Sequence, residues 1–159
     1  MSNDESRPGP GERQSTMSLS AVLKTLWAAP CTAVGMLPAL LICALGGSAR
    51  AVTGVLEVAF DDDRHPIARA LAVLPFSAIT LGRVVIARTH ACQRVHRSHE
   101  RIHVAQYERW GPLFFVLYAG SSCWQLVKGG RPYFDNHFER QARFGACDGG
   151  PPHARQHET

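Results

Sequence analysis

The feature that most limits how this chain can fold is a run without charge. From residue 25 to residue 47 the sequence holds no Asp, Glu, Lys or Arg, and Lys24 stands at its edge. About 20 consecutive apolar residues cross the hydrocarbon core of a bilayer, and a run of that length is hard to hide in a small soluble fold. Pro30, Gly35, Pro38, Gly46 and Gly47 lie in the run. Such residues weaken a helix in water but are tolerated in a membrane, where neighbouring groups satisfy the freed backbone. The expectation is a membrane helix over residues 19–48. Two readings compete with it: a cleaved signal peptide, with Gly47 and Ala49 near the cleavage point, and a buried core helix. Arginines flank the run on both sides, so topology stays open.

The chain has 159 residues, enough for one domain plus a membrane or tail segment. Its mean hydropathy of -0.10 describes a soluble protein only on average, because the apolar residues are clustered. Of the 17 basic residues all but Lys24 and Lys128 are arginine, and the net charge is +4. Arg83, Arg88, Arg94, Arg97, Arg101 and Arg109 gather in its second half. That balance suits an anionic membrane surface or an acidic substrate. Without interleaved stacking aromatics, nucleic-acid binding is not expected. The five cysteines form no CxxC pair, and Cys31, Cys43 and Cys123 sit in apolar surroundings. They read as free thiols rather than a disulfide framework or a zinc ribbon.

Residues 1–18 and 145–159 are polar, rich in Gly and Pro, and read as disordered tails. Between the membrane helix and the second tail, residues 49–144 remain for a domain. Residues 52–60 and 79–87 read as strands, the first closed by Asp61, Asp62 and Asp63, which lack the alternation of a calcium loop. Residues 93–109 carry a helical period, and residues 112–127 form a second uncharged run, short for a perpendicular span. A last short helix is expected over residues 134–144. The fold class is therefore mainly α with a small β element (α+β).

The segment that carries chemistry is His99-Glu100-Arg101-Ile102-His103, an HExxH pentapeptide inside the first of those helices. Histidines four residues apart share one helical face and can reach a single zinc ion. The carboxylate after the first histidine lies beside that face and can take a proton from water without ligating. A chance HExxH arises on the order of once in fifty chains of this composition, so the motif needs support. A catalytic zinc also needs a third ligand. The extended HExxHxxGxxH pattern fails, because Gln106 and Arg109 occupy its last two positions. Glu139 is the downstream candidate, with His137 behind it. Glu139 has a competing role, since Asn136-x-x-Glu139 has the spacing of a capping box; a cap at Asp135 instead would release it. Gln106 is a candidate for contacting a ligand or substrate, and Tyr107, Tyr118 and Tyr133 for stabilising an oxyanion.

HExxH followed by Glu139 in an ExxA context resembles the gluzincin branch of zinc metallopeptidases, including integral-membrane members. The string HERIHVAQYERWGPLFFVLY…PYFDNHFERQAR is more similar still to small bacterial membrane proteins with an HExxHxxQYxRWG core and a terminal NxFExxA motif. The resemblance covers roughly residues 75–144 and implies a minimal zincin-like core. It also implies Zn2+ on His99, His103 and Glu139, with Glu100 as general base. Membrane gluzincins carry an acidic residue directly after ExxA; Arg143 stands there, leaving Asp135 to orient a histidine. The resemblance further implies that the strand before HExxH, residues 79–87, borders the cleft and pairs with an extended peptide. The expected function is a membrane-associated, peptidase-like zinc metallohydrolase of a bacterial inner membrane. Two other readings keep parts of the pattern: a zinc-stabilised membrane or interaction protein without turnover, and a metal-free membrane-surface adaptor.

Overall fold

The computed structural model describes residues 19–73 and 77–147. The tail expected at residues 1–18 lies outside them, as does the other tail beyond residue 147. The elements are α1 (Leu19–Ala44), β1 (Ser48–Val52), β2 (Val55–Phe60), α2 (Pro66–Leu71), β3 (Ala78–Leu81), β4 (Val84–Thr89), α3 (His90–Trp110), α4 (Leu113–Val127) and α5 (His137–Cys147). Helix dominates and the strands form one small sheet, as the patterning indicates.

The sheet runs β1-β2-β4-β3, with antiparallel pairs outside and the parallel β2–β4 pair at the centre. Each run expected to be a single strand instead contains a turn. In residues 52–60 the chain reverses at Thr53 and Gly54, both at positive φ (44° and 75°). Turns of that hand match strand twist, and glycine adopts them freely. In residues 79–87 it reverses at Gly82, φ 62°, and Arg83. Apolar residues flanking both turns gave each hairpin the look of one strand.

Both faces of the central pair are covered. Val58, Val84 and Ile86 pack with Ala39 of α1, whereas Val55 and Val85 pack with Val104 of α3. The sheet is the middle layer of three, which is how a buried parallel pair is usually housed. Between sheet and α3, Glu57 is 3% exposed and meets the Arg97 guanidinium through two bonds of 2.8 and 2.7 Å. That bidentate geometry offsets the cost of burying the charge.

The helix α1 ends at Ala44, short of the expected residue 48, where β1 has begun. Its buried residues are Ala28, Cys31, Gly35 and Ala39, all small and spaced by three or four. Leu19, Leu23, Leu26, Leu37, Leu40 and Leu41 on the other side are each more than half exposed. A helix on a soluble domain turns polar groups outward, so this one is inverted. Small residues permit close backbone approach, as at helix interfaces in membranes. A Cβ on Gly35 would lie 2.8 Å from both Cβ and the carbonyl oxygen of Leu81, and one on Gly82 would lie 2.4 Å from the Thr32 nitrogen. The helix thus sits directly on the β3–β4 turn, where Arg83 N donates to Thr32 Oγ1 at 3.1 Å. By length and composition α1 is able to cross a membrane.

Substituting Gly35→Val should force α1 off that turn and destabilise the fold by about 2 kcal/mol. Unfolding of the detergent-solubilised protein, followed by far-ultraviolet dichroism, reads the change; wild-type stability would contradict the close packing.

Candidate metal centre

Two helices bring the site together. α3 begins at His90, three residues before expectation, because the Thr89 side chain accepts a hydrogen bond from Cys92 N at 3.2 Å. An Ncap oxygen satisfies an otherwise unpaired helical N–H. α5 begins at His137 and runs to Cys147, so residues 145–147 belong to a helix and not to a tail. The Asn136 side chain accepts from Phe138 N at 2.9 Å and donates to Tyr118 O and Ser122 Oγ at 3.0 and 2.7 Å. It caps α5 and pins that end to α4 in one residue.

The capping box is only half made. Asn136 N donates to Tyr133 O at 3.3 Å, so Glu139 has no reciprocal bond to close. Its carboxylate turns to α3 instead. His99 Nε2 and His103 Nε2 lie 3.1 Å apart. Glu139 Oε1 is 3.3 Å from His103 Nε2, and Oε2 is 3.4 Å from His99 Nε2. With zinc–nitrogen bonds near 2.05 Å, two ligand atoms of a tetrahedral site stand about 3.3 Å apart. The nitrogen–nitrogen separation lies near that value, and so does each nitrogen's separation from one oxygen of Glu139, Oε1 for His103 and Oε2 for His99. Taking one atom per residue, His99, His103 and Glu139 lie within 4.8 Å of one another and form a group that can hold a metal ion. Glu139 Oε2 is buried without a hydrogen-bond partner, which fits a ligand atom better than a structural acceptor.

The surroundings set the protonation state. His103 Nδ1 lies 2.8 Å from Gln106 Oε1, while Gln106 Nε2 donates to Phe138 O at 3.2 Å and Gln141 Oε1 at 2.8 Å. A backbone carbonyl can only accept, so it fixes the orientation of the amide. Nδ1 then carries the proton and Nε2 offers its lone pair to the centre. Tyr118 Oη donates to Glu139 Oε1 at 2.8 Å. Burial alone would raise the Glu139 carboxyl, but in the metal-free protein the His103 and His99 imidazoles beside it hold it far below the ordinary range. Burial alone would lower the His103 imidazole; Glu139, followed by the charge of Glu100, outweighs it and raises the pKa.

Glu100 lies beside the cluster, 6% exposed, and its Oε2 accepts from Thr80 Oγ1 at 2.7 Å. Thr80 sits on β3, an edge strand. These groups open into a cavity of about 300 Å³, walled otherwise by apolar residues such as Ile79, Leu81, Phe114 and Phe115.

His99, His103, Glu139 and Glu100 therefore meet at one cavity. His137 does not join them; it is exposed and lines a different cleft. Asp135 does not orient a histidine, because its carboxylate accepts from Arg131 N at 2.8 Å and faces that guanidinium. Gln106 takes the orienting role. Of the tyrosines, Tyr107 is packed against Phe114 with rings 4.4 Å apart, Tyr118 is bonded to Glu139, and Tyr133 lines the cavity. Burial and the Glu139 carboxylate push the Tyr133 phenol up to about 12, so it stays a proton donor. Thr80 escaped sequence reasoning, since a lone threonine in an apolar run carries no signal until the strand is placed against α3.

No protein-family model matches the chain, and no curated protein or solved structure matches it.

In the metal-free protein the His103–Glu139 pair should leave a signature in stability against pH. A raised histidine stabilises fully below its unfolded value of 6.5 and loses that as pH climbs through the folded value. A lowered carboxyl stabilises fully above 4.5 and loses that as pH falls. The contribution should be complete between those values and fall away on either side. Glu139→Gln should therefore lower the melting temperature within that window and weaken its falls below pH 4.5 and above pH 6.5; an unchanged profile would contradict the pairing. Gln106→Leu should weaken metal binding about 10- to 100-fold, read by competition with a chromophoric chelator.

Proposed function

We propose that this chain is a membrane-associated zinc metallohydrolase of the peptidase type. The observation that carries the reading is the convergence of the His99 and His103 nitrogens and the Glu139 carboxylate. Each nitrogen lies 3.1 to 3.4 Å from the other and from one carboxylate oxygen, and a second buried carboxylate is held beside them. Two imidazoles and one carboxylate leave a fourth position open, as in catalytic rather than structural zinc sites. Zinc bound there would supply a Lewis acid and lower the pKa of a water to about 7.

The chain's own residues supply the rest. Glu100 is the general base, taking a proton from the attacking water and later delivering it to the leaving amine. Thr80 donates to one oxygen of that carboxylate, keeping the other directed to the reacting centre. Gln106 holds His103 with its lone pair on the ligand side. Tyr133 keeps its proton and is the wall residue suited to meet a developing oxyanion. The edge strand β3 supports a peptide substrate, since its free side can pair with an extended chain along the cavity. The leucine face of α1 and the exposed apolar residues of α4, Leu113, Val116, Leu126 and Val127 among them, support association with a bilayer.

Assay of the zinc-loaded protein on a fluorogenic peptide library tests the proposal. Glu100→Gln should keep zinc and lose about 10²- to 10⁴-fold in turnover. Tyr133→Phe should keep zinc and lose about 10- to 100-fold in kcat. Undiminished turnover in Glu100→Gln would refute the role of base. A zinc-bound wild type that cleaves nothing would leave a structural metal clamp between α3 and α5.

A further inference from the structure

A second cleft, of about 670 Å³, lies between α1, α3, α4 and α5, and its lining includes Gln106 and Gln141. Its chemistry differs from that of the first. Lys24, Arg109 and His137 line it, and among the described residues no carboxylate pairs with Lys24 or Arg109. The carboxylate on its wall, Glu108, already faces Arg83 at 3.0 Å. Gln141 uses its amide oxygen on Gln106, leaving its nitrogen as a further donor. The cleft therefore offers cations and N–H donors to an anion.

Its remaining wall is apolar. Trp110 and Leu117 line it at 37% and 38% exposure, and the Arg109 guanidinium lies 5.4 Å from the Trp110 ring. Leu117 continues into the exposed apolar surface of α4. Lys24 marks where the uncharged part of α1 begins, and Trp27, one turn on, packs on the Gly111 turn. Lysine and tryptophan at such a border are found at the depth of lipid headgroups. Cations beside an apolar wall at that depth match an amphiphile, whereas a free inorganic anion has no use for the wall.

We propose that this cleft binds an anionic phospholipid, its phosphate between Lys24 and Arg109 and an acyl chain along Trp110 and Leu117. Basic pockets between membrane helices are suited to such headgroups. The inference rests on the membrane association proposed above, and not on turnover.

The test uses the full chain in uncharged detergent micelles, with retention of phosphatidylglycerol and phosphatidylcholine measured by native mass spectrometry. Wild type should retain phosphatidylglycerol about tenfold more than phosphatidylcholine. Lys24→Gln with Arg109→Gln should abolish that preference. Arg64→Gln with Arg69→Gln, an equal loss of charge outside the cleft, should preserve it. Equal loss in both double variants would mean diffuse surface charge and overturn the site. Displacement of the lipid by millimolar inorganic phosphate would mean a simple anion site, and would overturn the lipid assignment. Release of the chain from cell membranes by alkaline carbonate would refute membrane association separately, and the lipid site with it.

Discussion

A carboxylate 3% exposed between two imidazoles is the constraint around which the second half of the chain is arranged. A buried charge left unmet costs several kcal/mol, so Glu139 has to be answered by the histidines, by Tyr118 and by a cation when one is bound. That requirement places α5 against α3 and accounts for the polar parts around it. Asn136 is fully buried because it anchors the start of α5 to α4. Gln106 is buried because it joins His103 to the backbone of α5. The bonds of both run between elements, fixing where Glu139 sits to within the tolerance a metal demands.

The other half of the molecule answers a different demand. α1 presents alanine, cysteine and glycine to the sheet and leucines outward, so it supplies close approach inside and an apolar exterior. In water the exterior would be a liability; against lipid it costs nothing. Because α1 covers one face of the sheet and α3 the other, the apolar helix is a layer of the fold. The residues that can hold a metal project from the opposite side of that sheet, with β3 leading from the α1 contact at Leu81 to the cavity at Thr80. The apolar exterior of α1 and the candidate metal site thus share one short strand.

Much of this was legible in the residues. HExxH spacing on a helix put His99 and His103 on one face, and the uncharged run gave α1. Glu139 remained ambiguous because a capping box and a ligand have the same local sequence; the choice turned on the Asn136 amide pairing with Tyr133 across a turn. The hairpins are invisible to periodicity because apolar residues continue on both sides of Thr53-Gly54 and Gly82-Arg83. Asp135 departs from expectation for the opposite reason: it stands near the motif in sequence, but Arg131, four residues earlier, holds its carboxylate. Thr80 and the role of Gln106 come from contacts between distant segments, which no local pattern encodes.

X-ray absorption at the zinc edge of the purified, zinc-loaded protein tests the central claim most directly. The account requires four light-atom ligands at about 2.0–2.1 Å, two showing the outer-shell scattering of imidazole, with one imidazole lost in His103→Ala and the other kept. Sulfur scattering at about 2.3 Å, or zinc coordination unchanged in that variant, would contradict it.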